Sequence, residues 1–294
     1  MSTAVKRAAV FSAWGMMICL VAAVCTVNYH VLWSRAHWAG VSAEAVEQET
    51  FLEMRFGENG LERMEELAEE TGLDLAETAA VCMIHYSFAP TEREIHSLDA
   101  GDVLRWREIL NTEENLSYQA IEAAYRAILE DVECFPVARS TDKSREWVSF
   151  GNTWMEQRTY GGERRHEGTD IMGAAYDRGT YPVVSMTDGI IKKMGWLEMG
   201  GWRIGIYSPS GGYFYYAHLY SYAPGLSEGD EVRAGQLLGY MGDSGYGKEE
   251  GTVGLFPVHL HMGIYLDEGG DGERSVNPYW ILWYAQKYNF AFDY

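Results

Sequence analysis

Pro257-Val258-His259-Leu260-His261-Met262-Gly263 is the stretch on which the reading of this chain turns. In an extended strand, residues two apart project from the same face. His259 and His261 therefore point together, while Val258, Leu260 and Met262 alternate to the opposite side. Two further segments carry histidine in a similar setting. They are Arg164-Arg165-His166-Glu167-Gly168-Thr169-Asp170 and Tyr215-Tyr216-Ala217-His218-Leu219. Four of the chain's eight histidines fall in these three segments.

In the first of the two, His166 and Asp170 bracket a glycine-containing turn, so a short loop can bring both groups to one ion. Two neutral imidazoles and one carboxylate form a usual catalytic zinc set, with a fourth position left for water. Thiolates are absent from the segments and imidazole predominates, which favours zinc over magnesium or calcium. One imidazole of the H-x-H pair can bind the metal while its neighbour contacts water. A lone H-x-H, a lone H-x-x-x-D or a lone Tyr-Ala-His is uninformative; their combination on a glycine-rich, β-rich background is what points to a metal site.

That background is visible on both sides. Glycine rises from 6 in residues 1–140 to 26 in residues 141–294. Short β-rich runs alternate with turn residues: Pro182–Met186, Gly189–Met194, Trp202–Tyr207, Gly212–His218, Gln236–Met241 and Val258–Leu266. This spacing predicts a mainly β, mostly antiparallel domain over residues 136–294. Pro278–Tyr288 reads as a closing helix with proline near its start.

Residues 36–135 read differently. Residues 41–135 hold 23 Asp/Glu against 6 Lys/Arg, so most of the chain's acidity lies away from the histidine segments. Leu61, Met64 and Leu67 fall at helical spacing before Gly72, a plausible stop. Thr91-Glu92-Arg93-Glu94 reads as a capping box. Trp106, Ile109 and Leu110 mark one apolar stripe. Tyr118, Ile121, Tyr125, Ile128 and Val132 mark a clearer one. An acidic helical region is expected here. His30, His37, His85 and His96 lie outside the three segments and are assigned no catalytic role.

Residues 8–28 are uncharged and largely apolar, and about 20 such residues in a helix cross a bilayer core. Lys6 and Arg7 precede the run and the chain turns acidic after Arg35, which orients the N-terminus to the cytoplasm and the rest outside. Residues 1–35 are therefore expected to form a cytoplasmic stub and a single transmembrane anchor. A cleaved signal peptide would want a shorter apolar core and a small-x-small site, and a lipoprotein reading of Cys25 meets the bulky Val24. Outside the cytoplasm a Cys82–Cys134 disulfide is open, though spacing alone does not show one.

The formal net charge is −20, from 43 acidic and 23 basic residues. Phosphate neutralisation needs clustered Lys and Arg, so a nucleic-acid partner is not expected. Broad adhesion to anionic lipids or wall polymers is disfavoured on the same ground.

The segments HEGTD, YYAHL and HLH, in that order, resemble the three signature motifs of the lysostaphin/LytM zinc endopeptidase family. PVVSMTDGIIKKMGW and GLSEGDEVRAGQLLGYMGDSG resemble the text between them, and the likeness runs from about Trp147 to Asn277. It implies a LytM-like catalytic domain, one zinc ion per chain and a peptidoglycan peptide as substrate, cut in the stem or cross-bridge beside glycine or a D-amino acid. His166, Asp170 and His261 match the family's zinc ligands. His218 and His259 match its two non-ligand histidines, which position water and move its proton. Tyr160 lies where relatives often place a tyrosine near the oxyanion. Glu167 is not required, and without an H-E-x-x-H no glutamate base is expected. Two departures stand out: Val258 separates Pro257 from His259, and the loop Tyr246–Phe256 is longer than many. Two other readings compete: a catalytically silent scaffold or activator of the same fold, and a wall-binding module using Tyr213, Phe214, Tyr215 and Tyr216. All five motif residues are present, which favours an enzyme. A loop or a regulatory protein partner is expected to restrain it.

Overall fold

The computed structural model describes residues 14–26, 28–29, 41–113, 115–159, 162–174, 177–266 and 274–294. The chain divides into two compact units, residues 1–42 and 43–294. In the first, residues 14–26 are helical and their large apolar side chains, Trp14, Ile18 and Leu20 among them, are exposed. Thr26 Oγ1 donates to the Ala22 carbonyl at 2.9 Å and Asn28 Nδ2 to that of Val24 at 2.8 Å. Among the described residues no helix is long and apolar enough to cross a membrane. The expected span over residues 8–28 therefore appears only as this shorter helix; residues 1–13, 27 and 30–40 lie outside the described residues.

The second unit opens with a helical layer. Its helices are α1 (Glu49–Leu52), α2 (Gly60–Thr71), α3 (Leu75–His85), α4 (Glu92–His96), α5 (Ala100–Glu113) and α6 (Asn115–Leu129). The expected stripe on α2 is buried at Leu61, Met64 and Leu67, and Gly72 ends the helix in the left-handed region with its N–H on the Ala68 carbonyl. Thr91 and Glu94 form the expected capping box of α4. Tyr118, Ile121, Tyr125 and Ile128 are buried, whereas Val132 lies beyond the end of α6 and is half-buried. Helix α3 lies within the expected helical region but shows no amphipathic stripe, being apolar nearly all round, as befits a central helix; residues 78–84 are all buried. Cys82 and Cys134 are free and buried, and burial raises both thiols to about 12. Cys134 instead donates to the Ser185 carbonyl.

The strands are β1 (Arg139–Ser140), β2 (Ser149–Phe150), β3 (Gln157–Arg158), β4 (Arg164–Arg165), β5 (Thr169–Met172), β6 (Pro182–Val184), β7 (Gly189–Leu197), β8 (Gly201–Tyr207), β9 (Gly212–Tyr222), β10 (Glu231–Val232), β11 (Leu237–Met241), β12 (His259–Leu266), β13 (Arg274–Val276) and β14 (Ala291–Phe292). The main sheet has the order β10-β7-β8-β9-β12-β5-β2, with β11 on β9 and β6, and β13 on β12. Its pairings are antiparallel; β1 and β14 form a separate parallel pair. Each of the six runs expected from sequence is a strand, and α7 (Tyr279–Ala285) is the closing helix behind Pro278.

The helical layer is joined to the β-domain by specific contacts. The Asn277 N–H donates to the Leu52 carbonyl at 2.7 Å. Asp131 accepts the backbone N–H and hydroxyl of Ser210. Glu65 accepts from Tyr284 Oη and pairs with Lys287. Leu260, Met262 and Ile264 of β12 are fully buried, so the apolar side of the H-x-H strand is core, as the alternation predicts.

Candidate active site

Register, not proximity in sequence, assembles the three histidine segments. β12 lies between β5 and β9, with His261 opposite Asp170 on one side and opposite Ala217 on the other. Asp170 thus sits on a strand rather than at the end of a turn, and His166 reaches back from the turn before it. Gly168 is what lets that turn lie flat on the neighbouring ring. A Cβ there would stand 2.6 Å from both His261 Cε1 and the Met262 carbonyl oxygen, so only glycine fits.

Three donor atoms converge. His166 Nε2 lies 3.0 Å from Asp170 Oδ1 and 2.9 Å from His261 Nδ1, and His261 Nδ1 lies 3.2 Å from Asp170 Oδ1. A tetrahedral site with bonds of about 2.0–2.1 Å has ligand–ligand edges of roughly 3.3 Å. The triangle is therefore the right size for one zinc ion. Its chemistry fits as well. His166 Nδ1 lies 2.9 Å from the Thr153 carbonyl, which can only accept, and 3.0 Å from Arg158 Nη2; the tautomer with its proton on Nδ1 satisfies the carbonyl and leaves Nε2 a lone pair for an ion. Lone pairs of imidazole and carboxylate that face one another at 3 Å repel unless a cation or proton sits between them.

His218 and His259 stand beside this triangle. Their ring centroids are 4.7 Å apart, and His259 Nε2 is 3.6 Å from Asp170 Oδ1. Both are held in the same tautomer. His218 Nδ1–H donates to the Ser244 carbonyl at 2.7 Å and His259 Nδ1–H to that of Pro257 at 2.8 Å, leaving each Nε2 unprotonated. His218 has φ +62°, the left-handed region rarely adopted by a residue with a side chain. It sits where the β8–β9 register shifts, with Tyr216 opposite Ile204 and Leu219 opposite Trp202. Such a bulge re-aims one side chain out of the ladder. Its N–H is not left unmade, bonding the Gly200 carbonyl at 2.8 Å.

Burial pushes His218 well below the usual histidine range, helped by the neighbouring imidazoles. Burial likewise lowers His259 and His261, in each case opposed by Asp170. Asp170 is held far below the usual carboxylate range: burial opposes its ionisation, but hydrogen bonding and charge from the surrounding imidazoles outweigh it. Depressed histidines contribute stability that is complete above their unfolded value of about 6.5 and is lost as the pH falls through the folded value. We expect the urea midpoint of the metal-free protein to decline from pH 7 to pH 5, and to decline less in a His218→Asn variant.

Two further residues at the site are assigned no role from sequence, although Ser244 lies within the GLSEGDEVRAGQLLGYMGDSG stretch. Arg158, on the two-residue strand β3, donates from Nη2 to Asp170 Oδ2 at 2.9 Å and so leaves Oδ1 to face His166 and His261. Ser244 fixes His218 through its carbonyl, and its hydroxyl ties β8 to β9 by accepting from Trp202 N–H and donating to the Leu219 carbonyl. Outer partners of this kind typically govern metal affinity by about 10- to 100-fold. Arg158→Ala is expected to weaken zinc binding within that range, measured by competition with a chromophoric chelator. Tyr160 lies outside the described residues. Glu167 is exposed, its carbonyl accepting from Tyr265 Oη. The long 246–256 loop places Tyr246 and Phe256 against the His218 ring, at centroid distances of 5.5 and 4.7 Å.

The family described as peptidase family M23 matches residues 164–278, the stretch that holds all five motif residues. Over 156 residues the chain is 43% identical to the L-Ala–D-Glu endopeptidase of Bacillus subtilis; the match takes in 53% of this chain and 44% of that protein, so the chain spans less than half of that relative's length. A crystal structure from Ruminococcus gnavus, described as a glycyl-glycine endopeptidase LytM, is 42% identical with a TM-score of 0.74, over 87% of this chain and the whole of the other. Residues 136–294 make up little more than half of the chain, so that match takes in the helical layer as well. By sequence, fold and the convergence of His166, Asp170 and His261, the chain belongs to peptidase family M23, in its LytM-type branch.

Proposed function

We propose that the chain is a zinc metalloendopeptidase hydrolysing peptide bonds of peptidoglycan, in the stem peptide or the cross-bridge. The observation that carries this reading is the convergence of three facing lone pairs beside two buried imidazoles whose tautomers are set by backbone carbonyls. His166 Nε2, Asp170 Oδ1 and His261 Nδ1 would hold the ion. Bound there, zinc supplies Lewis acidity that polarises a scissile carbonyl and acidifies water. The chain's own part is proton handling. His218 and His259, neutral at working pH, accept a proton at Nε2 from the attacking water and return it to the leaving amide nitrogen. Tyr160 is proposed beside the oxyanion on the strength of the family resemblance.

The names given to the two relatives carry two bond classes, L-Ala–D-Glu and glycyl-glycine. The apolar, uncharged run at residues 8–28 behind Lys6 and Arg7 supports a single-pass anchor that leaves the peptidase outside the cell membrane. The exposed apolar side chains of residues 14–26 and the back-bonding of Thr26 and Asn28 onto helix carbonyls suit a lipid setting. Restraint by a regulatory protein is part of the proposal; the described residues that line the cleft lie within 164–265, so such a partner would act there.

The test is the zinc content of the purified full chain and its release of muropeptides from peptidoglycan, beside His259→Ala. One zinc, with release in the wild type and none in the variant, is the expected result. Zinc without release from either would favour a silent scaffold, and absence of zinc would sink the reading.

A further inference from the structure

The β3–β4 ribbon carries three arginines to the site, and they are not equivalent. Arg158 pairs across the ribbon with Arg164, and Arg165 follows. The charge of Arg158 is taken up by Asp170. Arg165 is exposed and donates to the Met155 carbonyl. Arg164 lines the cleft together with His166, His218, Tyr246 and His261. Its Nη2 donates to Tyr246 Oη at 2.9 Å. Its Nε is shielded from solvent and makes no hydrogen bond, and among the described residues no carboxylate pairs with it. In a chain with 43 acidic residues, an unneutralised guanidinium at the cleft is unexpected. Among the described lining residues Glu167 is the one acid, and it is exposed.

An anionic ligand is repelled by a protein of net charge −20 unless a local positive site captures it. A guanidinium suits a carboxylate because its planar fork donates two parallel hydrogen bonds. Arg164 is two contacts from the proton-handling group, through Tyr246 to the His218 ring. The guanidinium lies 5.6 Å from the Tyr246 ring and that ring 5.5 Å from the His218 ring; one residue of extended peptide spans roughly 3.5 Å, so a carboxylate met by Arg164 belongs to a residue within about three of the scissile bond.

We infer that Arg164 is a specificity residue that binds a carboxylate of the substrate peptide within about three residues of the scissile bond, selecting an acidic peptide over an uncharged glycyl one. This rests on the peptidase reading above and narrows its substrate class. Tyr246 orients the guanidinium, and the positive φ of that residue, +54°, shows that the loop holds it in an uncommon conformation to do so.

Two synthetic alanyl–D-glutamyl peptides provide the test, identical except that the glutamyl α-carboxylate is free in one and amidated in the other. Binding is measured by calorimetry on the zinc-loaded full chain carrying His259→Ala, which leaves the peptides uncut, with and without Arg164→Gln. The free acid is expected to bind about 10- to 100-fold tighter than the amide, the range of a hydrogen-bonded charged pair. Arg164→Gln should bring the two within about twofold, without weakening the amide. Equal binding of acid and amide to the parent, or a preference that survives Arg164→Gln, overturns the inference. A merely structural role, holding Tyr246 in place, would weaken both peptides alike and overturns it too. Turnover by the otherwise wild-type chain is read separately. Acid preference in binding without cleavage of either peptide would sink the peptidase reading and leave the carboxylate site standing.

Discussion

Asp170→Ala is expected to yield a folded protein that retains less than about a tenth of an equivalent of zinc after dialysis and hydrolyses peptide at background. Asp170 contributes the one anionic oxygen of the three-atom triangle, and without it two neutral imidazoles remain. The loss is compounded by Arg158. In the native protein its guanidinium is neutralised by Asp170 Oδ2. In the variant that positive charge would stand beside His166 with nothing to offset it, 3.0 Å from its Nδ1. Zinc affinity should therefore fall by more than the roughly 100-fold that marks the upper end for losing an outer partner. Asp170→Asn separates the two contributions. It keeps an oxygen for Arg158 but removes the anionic ligand, so zinc should still be lost while thermal stability stays closer to wild type. A variant that kept zinc at full occupancy would show that the ion is held elsewhere.

His218→Asn should behave in the opposite way. Zinc is expected to stay within about twofold of wild type, because His218 lies outside the donor triangle, while kcat falls by about 10²- to 10⁴-fold, the usual cost of a lost acid–base group. Asparagine is the informative replacement. It tolerates the left-handed backbone that His218 adopts, and its amide can donate to the Ser244 carbonyl in place of Nδ1–H. The bulge and the loop are then preserved, and what disappears is the basic Nε2. KM should be little changed, as expected for a group that acts in the transition state. Equal losses in zinc and in turnover would place His218 among the ligands instead.

The site was legible where chemistry follows from local spacing. The period of two across His259 and His261 placed both imidazoles on one face and Leu260 and Met262 in the core, as observed. The order HEGTD, YYAHL and HLH identified the family. Strand register is non-local, so the sequence did not show that Asp170 lies on β5 directly opposite His261. Nor could spacing reveal Arg158, whose role depends on a two-residue strand folding back over the His166–Asp170–His261 triangle. The left-handed turn at His218 was hidden for a related reason: an alternating run such as YFYYAHLY reads as unbroken strand, and the bulge arises only from pairing with β8. In the helical layer the stripes on α2 and α6 stood out, whereas α3 lacked a polar face to mark its period. The docking of α2 through Glu65 to Tyr284 and Lys287 joins residues more than 200 apart in sequence.

The central position of β12 has a consequence for the order of events during synthesis. β5 and β9, which flank it, are both made earlier, and the strand that joins them is the last long one to emerge. Until then His166 and Asp170 lack their third donor and His218 lacks its partner imidazole. A chain made N-terminus first thus completes the triangle only once β12 has been synthesised, and the blade is fitted only after nearly the whole handle has been made.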